Sequence, residues 1–342
     1  MKRENAMSYT ILSKYRTELM GAAILWVMLF HSFDLDLGLP LLNWLRAAGF
    51  GGVDIFILLS SMGLTMSLSR REQDYASFMG RRASRVLPAY YLVMIPYTVF
   101  YILHYQTGWS GLLWNCLLLY YWVRPAAAFN WYIAGSMTFY AVTPMCFRAM
   151  RDSRRRELWT AAAVLLSLGA NALLVSEEYW YAMDVAFRVP VFFLGLLLGF
   201  YAAEERQLKG RDILFWVLWL GVGTAYLLLR QLRHLEEVLP LCPLFLFSTV
   251  PMCLVMCWCF DHLPLGWLRR GLRVLGTYSL EIYLLNVSFF SEVALWRQFV
   301  SFGPSNRAYF LLSYALNIAG AVLLHKLTER LKRLWTGRNR QN

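Results

Sequence analysis

Charge is scarce in this sequence, and negative charge scarcer: 16% of the 342 residues are charged, and 21 Asp and Glu face 33 Lys and Arg. A soluble domain carries about 25% charged residues, so a water-soluble globule is excluded. No long polar insertion, low-complexity tract or fixed-period repeat interrupts the chain, which predicts one domain over 1–342 with short tails at 1–17 and 327–342. There is no HExxH-type metal signature and no Gly-x-Ser-x-Gly nucleophile elbow, so no metal and no bound cofactor is expected. The six cysteines fall within or beside apolar runs, which argues against a disulfide framework. The densest of them, "CLVMCWC", reads as small apolar side chains in a helix.

What the chain has instead is apolar length. It is 58% hydrophobic, with a mean hydropathy of +0.44. Eleven apolar stretches run at about 19–37, 48–68, 86–104, 108–123, 128–147, 158–175, 185–203, 212–230, 240–260, 274–295 and 308–325. At ~1.5 Å per residue most can cross a hydrocarbon core of ~30 Å. The expected fold class is all-α, a polytopic transmembrane helix bundle. The first stretch has no small-residue cleavage site behind it and is expected to be a retained helix.

The net charge of +12 would suit a nucleic-acid partner in a soluble protein, but here the basic residues lie in short connectors. That is the topology signal of cytoplasmic loops, and the partner it implies is the lipid bilayer. Basic segments at the N-terminus, at Arg70–Arg85, "RAMRDSRRRE", "EERQLKGR", "RRGLR" and the C-terminus alternate with the acidic "FDLDLG" and "SEEYWYAMD". If every basic connector is cytoplasmic, an even number of crossings separates Arg85 from Arg148, yet three apolar stretches lie there. One of them therefore does not cross. Residues 108–123, the shortest and carrying the aromatic "LLLYYW", are predicted to be re-entrant or interfacial. About ten spans remain, with both termini cytoplasmic.

Ionisable groups inside spans are costly and mark functional candidates. His31 and Asp54 lie at matching depths, ~9 Å below the outer surface if both segments are helical. A carboxylate there can orient an imidazole, or the two can simply tie adjacent helices together. Arg82 and Arg85, three residues apart, can present two guanidinium forks to phosphates or anchor a helix at the anionic leaflet. Arg188 and Glu281 are expected to face the interior. Gly195 and Gly199 in "GLLLG" allow close helix approach.

Six ordered blocks carry a resemblance: "GAAILWVMLFHS", "GFGGVDIFILLSSMGL", "FMGRRASRVLPAYYL", "NWYIAGSMTFYAVTP", "FRVPVFFLGLLLGF" and "LGTYSLEIYLLN". In order and spacing they resemble the membrane-bound acyltransferase 3 family of bacterial O-acyltransferases. The resemblance implies transfer of an acyl group, often acetyl, from cytoplasmic acyl-CoA to a hydroxyl of a cell-envelope glycan or small exported molecule. It implies a multi-pass protein of the bacterial cytoplasmic membrane. It assigns His31 to the essential first-span histidine and Arg82 and Arg85 to donor binding, and it places Asp54, Trp131, Tyr140, Arg188 and Glu281 on recurrent positions. The resulting expectation is catalysis by His31 with Asp54 and Glu281, donor binding by Arg82, Arg85 and Arg188, and support from Arg16, Trp131, Tyr140 and Asn286.

Four departures from the family pattern stand out. Met20 occupies the usual arginine position, with Arg16 one turn upstream and able to snorkel toward it. Ser60 and Ser61 replace a Ser-Gly pair, Ser136 or Met137 a glutamate, and Asn286 a histidine. The rival from another class is a carrier or receptor that binds a small polar solute with the same groups and does no chemistry.

Overall fold

The computed structural model describes residues 7–33, 35–124, 128–153, 155–176, 183–235, 240–290 and 307–338. Part of the acidic "SEEYWYAMD", positions 291–295 of the tenth stretch and the last four residues lie outside these. Of the described residues 84% are helical, and no strand occurs among them.

Helices follow the apolar stretches. The first is built from α1 (Thr10–Lys14) and α2 (Arg16–Phe30). The short α3 (Pro40–Ala47) passes through a 3₁₀ turn into α4 (Gly52–Arg70), and α5 (Tyr75–Tyr105) returns. After α6 (Ser110–Cys116) and α7 (Tyr120–Val123) come α8 (Trp131–Arg151), α9 (Arg156–Ser176), α10 (Met183–Ala186), α11 (Val189–Ala203), α12 (Gly210–Leu232) and α13 (Pro243–His262). The chain ends with α14 (Gly266–Thr277), α15 (Ser279–Leu285), a π-helical turn at Asn286–Phe290 and α16 (Arg307–Arg338).

Helix starts have local causes. Asp74 accepts the Ser77 amide at 2.8 Å at the start of α5, and its bonds to Ser77 hold this connector carboxyl below its usual range. Asn130 caps α8 through the Ile133 amide at 3.0 Å. Pro40, Pro190 and Pro243 open α3, α11 and α13, where a missing N–H leaves no bond unmade.

Among the described residues seven segments are long and apolar enough to cross a membrane: Pro40–Arg70, Tyr75–Tyr105, Arg156–Ser176, Met183–Ala203, Gly210–Leu232, Pro243–His262 and Ala308–Leu334. The faces of α9 and α12 expose Leu165, Leu166, Leu173, Leu214, Val217 and Leu218. Such surfaces suit lipid tails.

The stretch at 108–123 breaks into helices of 7 and 4 residues, about 11 and 6 Å long, so neither spans a core of ~30 Å. Leu118 between them has φ 59°. The pair is fastened to α5, whose Tyr90 and Tyr91 hydroxyls donate to the carbonyls of Asn115 (3.0 Å) and Cys116 (2.9 Å).

The chain forms two compact units, interleaved in sequence. Unit one takes Met1–Leu19, Val53–Gly80 and Asn130–Arg269; unit two takes Met20–Gly52, Arg81–Phe129 and Arg270–Asn342. In unit one, α4 and α11 meet through the glycines of "GLLLG": a Cβ on Gly195 would fall 1.9 Å from Ser61 Oγ, and one on Gly199 2.5 Å from Thr65 Cβ. In unit two, α15 and α16 pack antiparallel. Glu281 meets His325, and four residues further along α15 Leu285 lies against Gly320.

Candidate functional site

In unit two, His31 follows the last turn of α2, its amide still bonded to the Val27 carbonyl at 3.1 Å. The residue is half-buried, with Phe30 edge-on at 5.2 Å and Phe33 at 6.4 Å between ring centroids. Asn286, on the π-helical turn, approaches as its side-chain hydrogen-bond partner. The approach is loose, since neither Nδ1 of His31 nor Oδ1 of Asn286 is satisfied. α16 passes the same place: the Tyr314 hydroxyl lies 2.7 Å from Ser32 Oγ, and the Met28 carbonyl accepts from Tyr314 at 3.4 Å. The imidazole is thus framed by aromatic edges and an amide, with part of its surface open.

In unit one, three of the sequence blocks converge. Arg188, at the start of α11, is 2% exposed. Its Nε lies 3.8 Å from Asp54 Oδ2, and its Nη1 donates to the Asp184 carbonyl at 2.8 Å. Asp184 Oδ1 is 3.7 Å from Nη1, and the guanidinium stacks over Trp131 at 4.9 Å from the ring centroid. The Cys242 thiol completes the shell. The starts of α4, α8, α10, α11 and α13 therefore gather around one guanidinium.

Asp54 is engaged by Arg188, and the partner His31 finds within its own unit is an amide. Two carboxylates, those of Asp54 and Asp184, flank Arg188. It also lies at the Asp54 end of α4, ~24 Å along that helix from the basic end at Arg70.

Arg82 and Arg85 both lie inside α5, whose helix starts at Tyr75, so their spacing of three places them on adjoining turns of one side. Arg82 is half-buried and Arg85 exposed. Tyr140 lines a narrow cavity among α4, α8 and α11 with Ser60, Ser61, Tyr132 and Ser136. Arg16 rests its guanidinium on Gly63, 3.6 Å from where a Cβ would stand. Glu281 accepts from, or donates to, Nδ1 of His325 at 2.8 Å. Among the described residues no cluster of ligating side chains suits a metal ion.

Three residues were missed by reading the sequence. His325 sits in "HKLTER", where it passes for part of a basic anchor. Ser313 and Asn317 lie in an apolar stretch and follow no motif. Only their i, i+4 spacing, which continues through Ala321 to His325, marks one face of α16.

A sequence profile described as an acyltransferase domain, acyltransferase 3, matches residues 21–326, nearly the whole chain. The chain belongs to the acyltransferase 3 family. No curated protein and no solved structure matches it. This acyltransferase acts on groups other than aminoacyl groups and is a multi-pass membrane protein. The matched interval takes in every site residue named above except Arg16.

Proposed function

We propose that this acyltransferase is an O-acyltransferase of the bacterial cytoplasmic membrane that moves an acyl group, in the first instance acetyl, from cytoplasmic acyl-CoA to a hydroxyl. The acceptor is a cell-envelope glycan or a small exported molecule. The observation that carries the reading is the half-open imidazole of His31, held by Phe30, Phe33 and Asn286.

An alcohol is a weak nucleophile at neutral pH, and a positioned base contributes about 10²–10⁴ in rate. His31 takes the hydroxyl proton as the oxygen attacks the thioester carbonyl. The tetrahedral intermediate collapses, the C–S bond breaks, and the CoA thiolate recovers the proton from the imidazolium. The products are an ester and CoA thiol.

Ten spans with cytoplasmic termini accord with the alternating basic connectors and with the short helices at 108–123. In that topology Arg82 and Arg85 stand at the cytoplasmic face, where their guanidinium groups bind donor phosphates. His31 lies ~18 Å along α2 from Leu19, which a donor arm of about the same length covers. Asp54, Arg188 and Trp131 act as positioning residues that fix the helix starts of unit one.

The test is transfer from radiolabelled acetyl-CoA in membrane vesicles containing the purified protein. His31→Ala abolishes transfer while donor binding persists. Arg82→Ala raises KM for acetyl-CoA, and Arg82→Lys restores it only in part because an ammonium lacks the fork. A carrier would show donor-independent solute uptake and no acetylated product, and that result overturns the proposal.

A further inference from the structure

Polar atoms deep in a membrane protein normally find partners, because hydrocarbon supplies none. Unit two follows that rule at several hydroxyls: Ser32, Ser288 and Thr328 each donate to the carbonyl four residues earlier. Ser313 and Asn317 break it. They are 1% and 0% exposed, and neither Ser313 Oγ nor either side-chain polar atom of Asn317 has a hydrogen-bond partner.

These orphans stand together. The antiparallel register set by Glu281 with His325 and Leu285 with Gly320 carries Asn317 to the level of the π-helical turn, which α16 contacts and whose Asn286 has an unpartnered Oδ1. Tyr314, between Ser313 and Asn317, bonds to Ser32 next to His31. His31, whose Nδ1 is also unsatisfied, has Asn286 as its side-chain neighbour. Glu281 is paired with His325, and Arg46 donates to the Ser32 carbonyl at 2.8 Å while its Nε stays without a partner. The amides of Asn317 and Asn286 and the hydroxyl of Ser313 carry no charge of their own, and such donors and acceptors match a neutral group.

We propose that Asn317, Ser313 and Asn286 form a binding subsite beside His31 for a neutral ligand group that both donates and accepts hydrogen bonds. Two sources offer that chemistry, a hydroxylated acceptor and the amides of the donor's pantetheine arm. Only this choice of sources rests on the acyl-transfer reading of His31; the subsite itself rests on the unpartnered atoms.

The test is thermal unfolding of the full-length purified protein, alone and with methyl glucoside or pantetheine as probes. Asn317→Leu and Ser313→Ala remove atoms that lack partners, so each melts at or above the wild type, the former by about 2 °C. A structural role for these atoms moves both melting points down. One probe raises the wild-type melting point, and Asn317→Leu abolishes that shift. Loss of the methyl glucoside shift identifies the acceptor, and loss of the pantetheine shift identifies the donor arm. Lower melting of both variants, an unshifted wild type, or a shift that survives in Asn317→Leu each overturns the subsite. Acetyl transfer measured in parallel separates the two ideas: transfer insensitive to His31→Ala sinks the catalytic reading alone.

Discussion

Glu281 Oε1 lies 2.8 Å from Nδ1 of His325, joining α15 to α16 across 44 residues of chain. The Glu281 side chain is 8% exposed and that of His325 34%, so the carboxylate depends on the imidazole for its partner. His325→Ala leaves a buried acceptor unmatched, and the expected loss is about 1–3 kcal/mol. His325→Gln keeps a donor and recovers part of it. Thermal unfolding of the two variants checks this; equal melting points would show that the bond contributes little.

The Asp54 and Arg188 side chains are 3% and 2% exposed. Removing one member of such a buried pair costs about 3–5 kcal/mol, because the other charge stays behind without its partner. Arg188→Gln is expected to be worse than Asp54→Asn, since it abandons Asp184 as well. The double variant Asp54→Asn/Arg188→Gln should be less destabilised than the sum of the singles, by about 0.5–3 kcal/mol. Unfolding of all four forms measures the coupling, and strict additivity would refute it.

Helix contact at Gly195 leaves no room for a methyl. Gly195→Ala places Cβ 1.9 Å from Ser61 Oγ and 2.6 Å from the Leu58 carbonyl. A strained or displaced α11 follows, at about 1–3 kcal/mol. Ser61→Gly relieves the side-chain clash and leaves the backbone one, so the double variant recovers stability only partly. Yield of folded protein and melting temperature report the effect.

In the proposed ten-span topology α6 and α7 do not cross, and positions on either side of them share one face of the membrane. Gly108→Cys and Arg124→Cys are both expected to react with an impermeant maleimide added from the same side of oriented vesicles. Labelling from opposite sides would mean that this stretch crosses.

Much of this architecture is legible in the sequence because span length and connector charge are local properties. The parity of basic connectors calls for one non-crossing stretch among three, length and aromatic content point to 108–123, and the structure breaks that stretch at Leu118 into two short helices. The close contact at Gly195 and Gly199 follows from small residues at a helical spacing. Pairing is another matter. Asp54 lies 134 positions from Arg188, and nothing local tells its carboxylate from one aimed at His31. His325 is hidden by the basic residues after it, which make an ordinary anchoring tail of the segment. Asn317 and Ser313 are invisible for the opposite reason: an apolar helix tolerates an occasional small polar residue, and only the packing reveals that these two lack partners.

The π-helical turn at Asn286–Phe290 gives the polar face of unit two an odd sensitivity to length. Such a turn accommodates one residue more than an α-helical turn, so residues at its two ends are phased differently around the axis than in an α-helix. Excising a single residue from it would shorten the helix by only ~1.5 Å yet rotate everything on one side by ~100°. Glu281, before the turn and bonded to His325, and Phe289, near its far end and edge-on to Tyr97, could then no longer face their present neighbours together. Here the count of residues, as much as their identity, is part of the design.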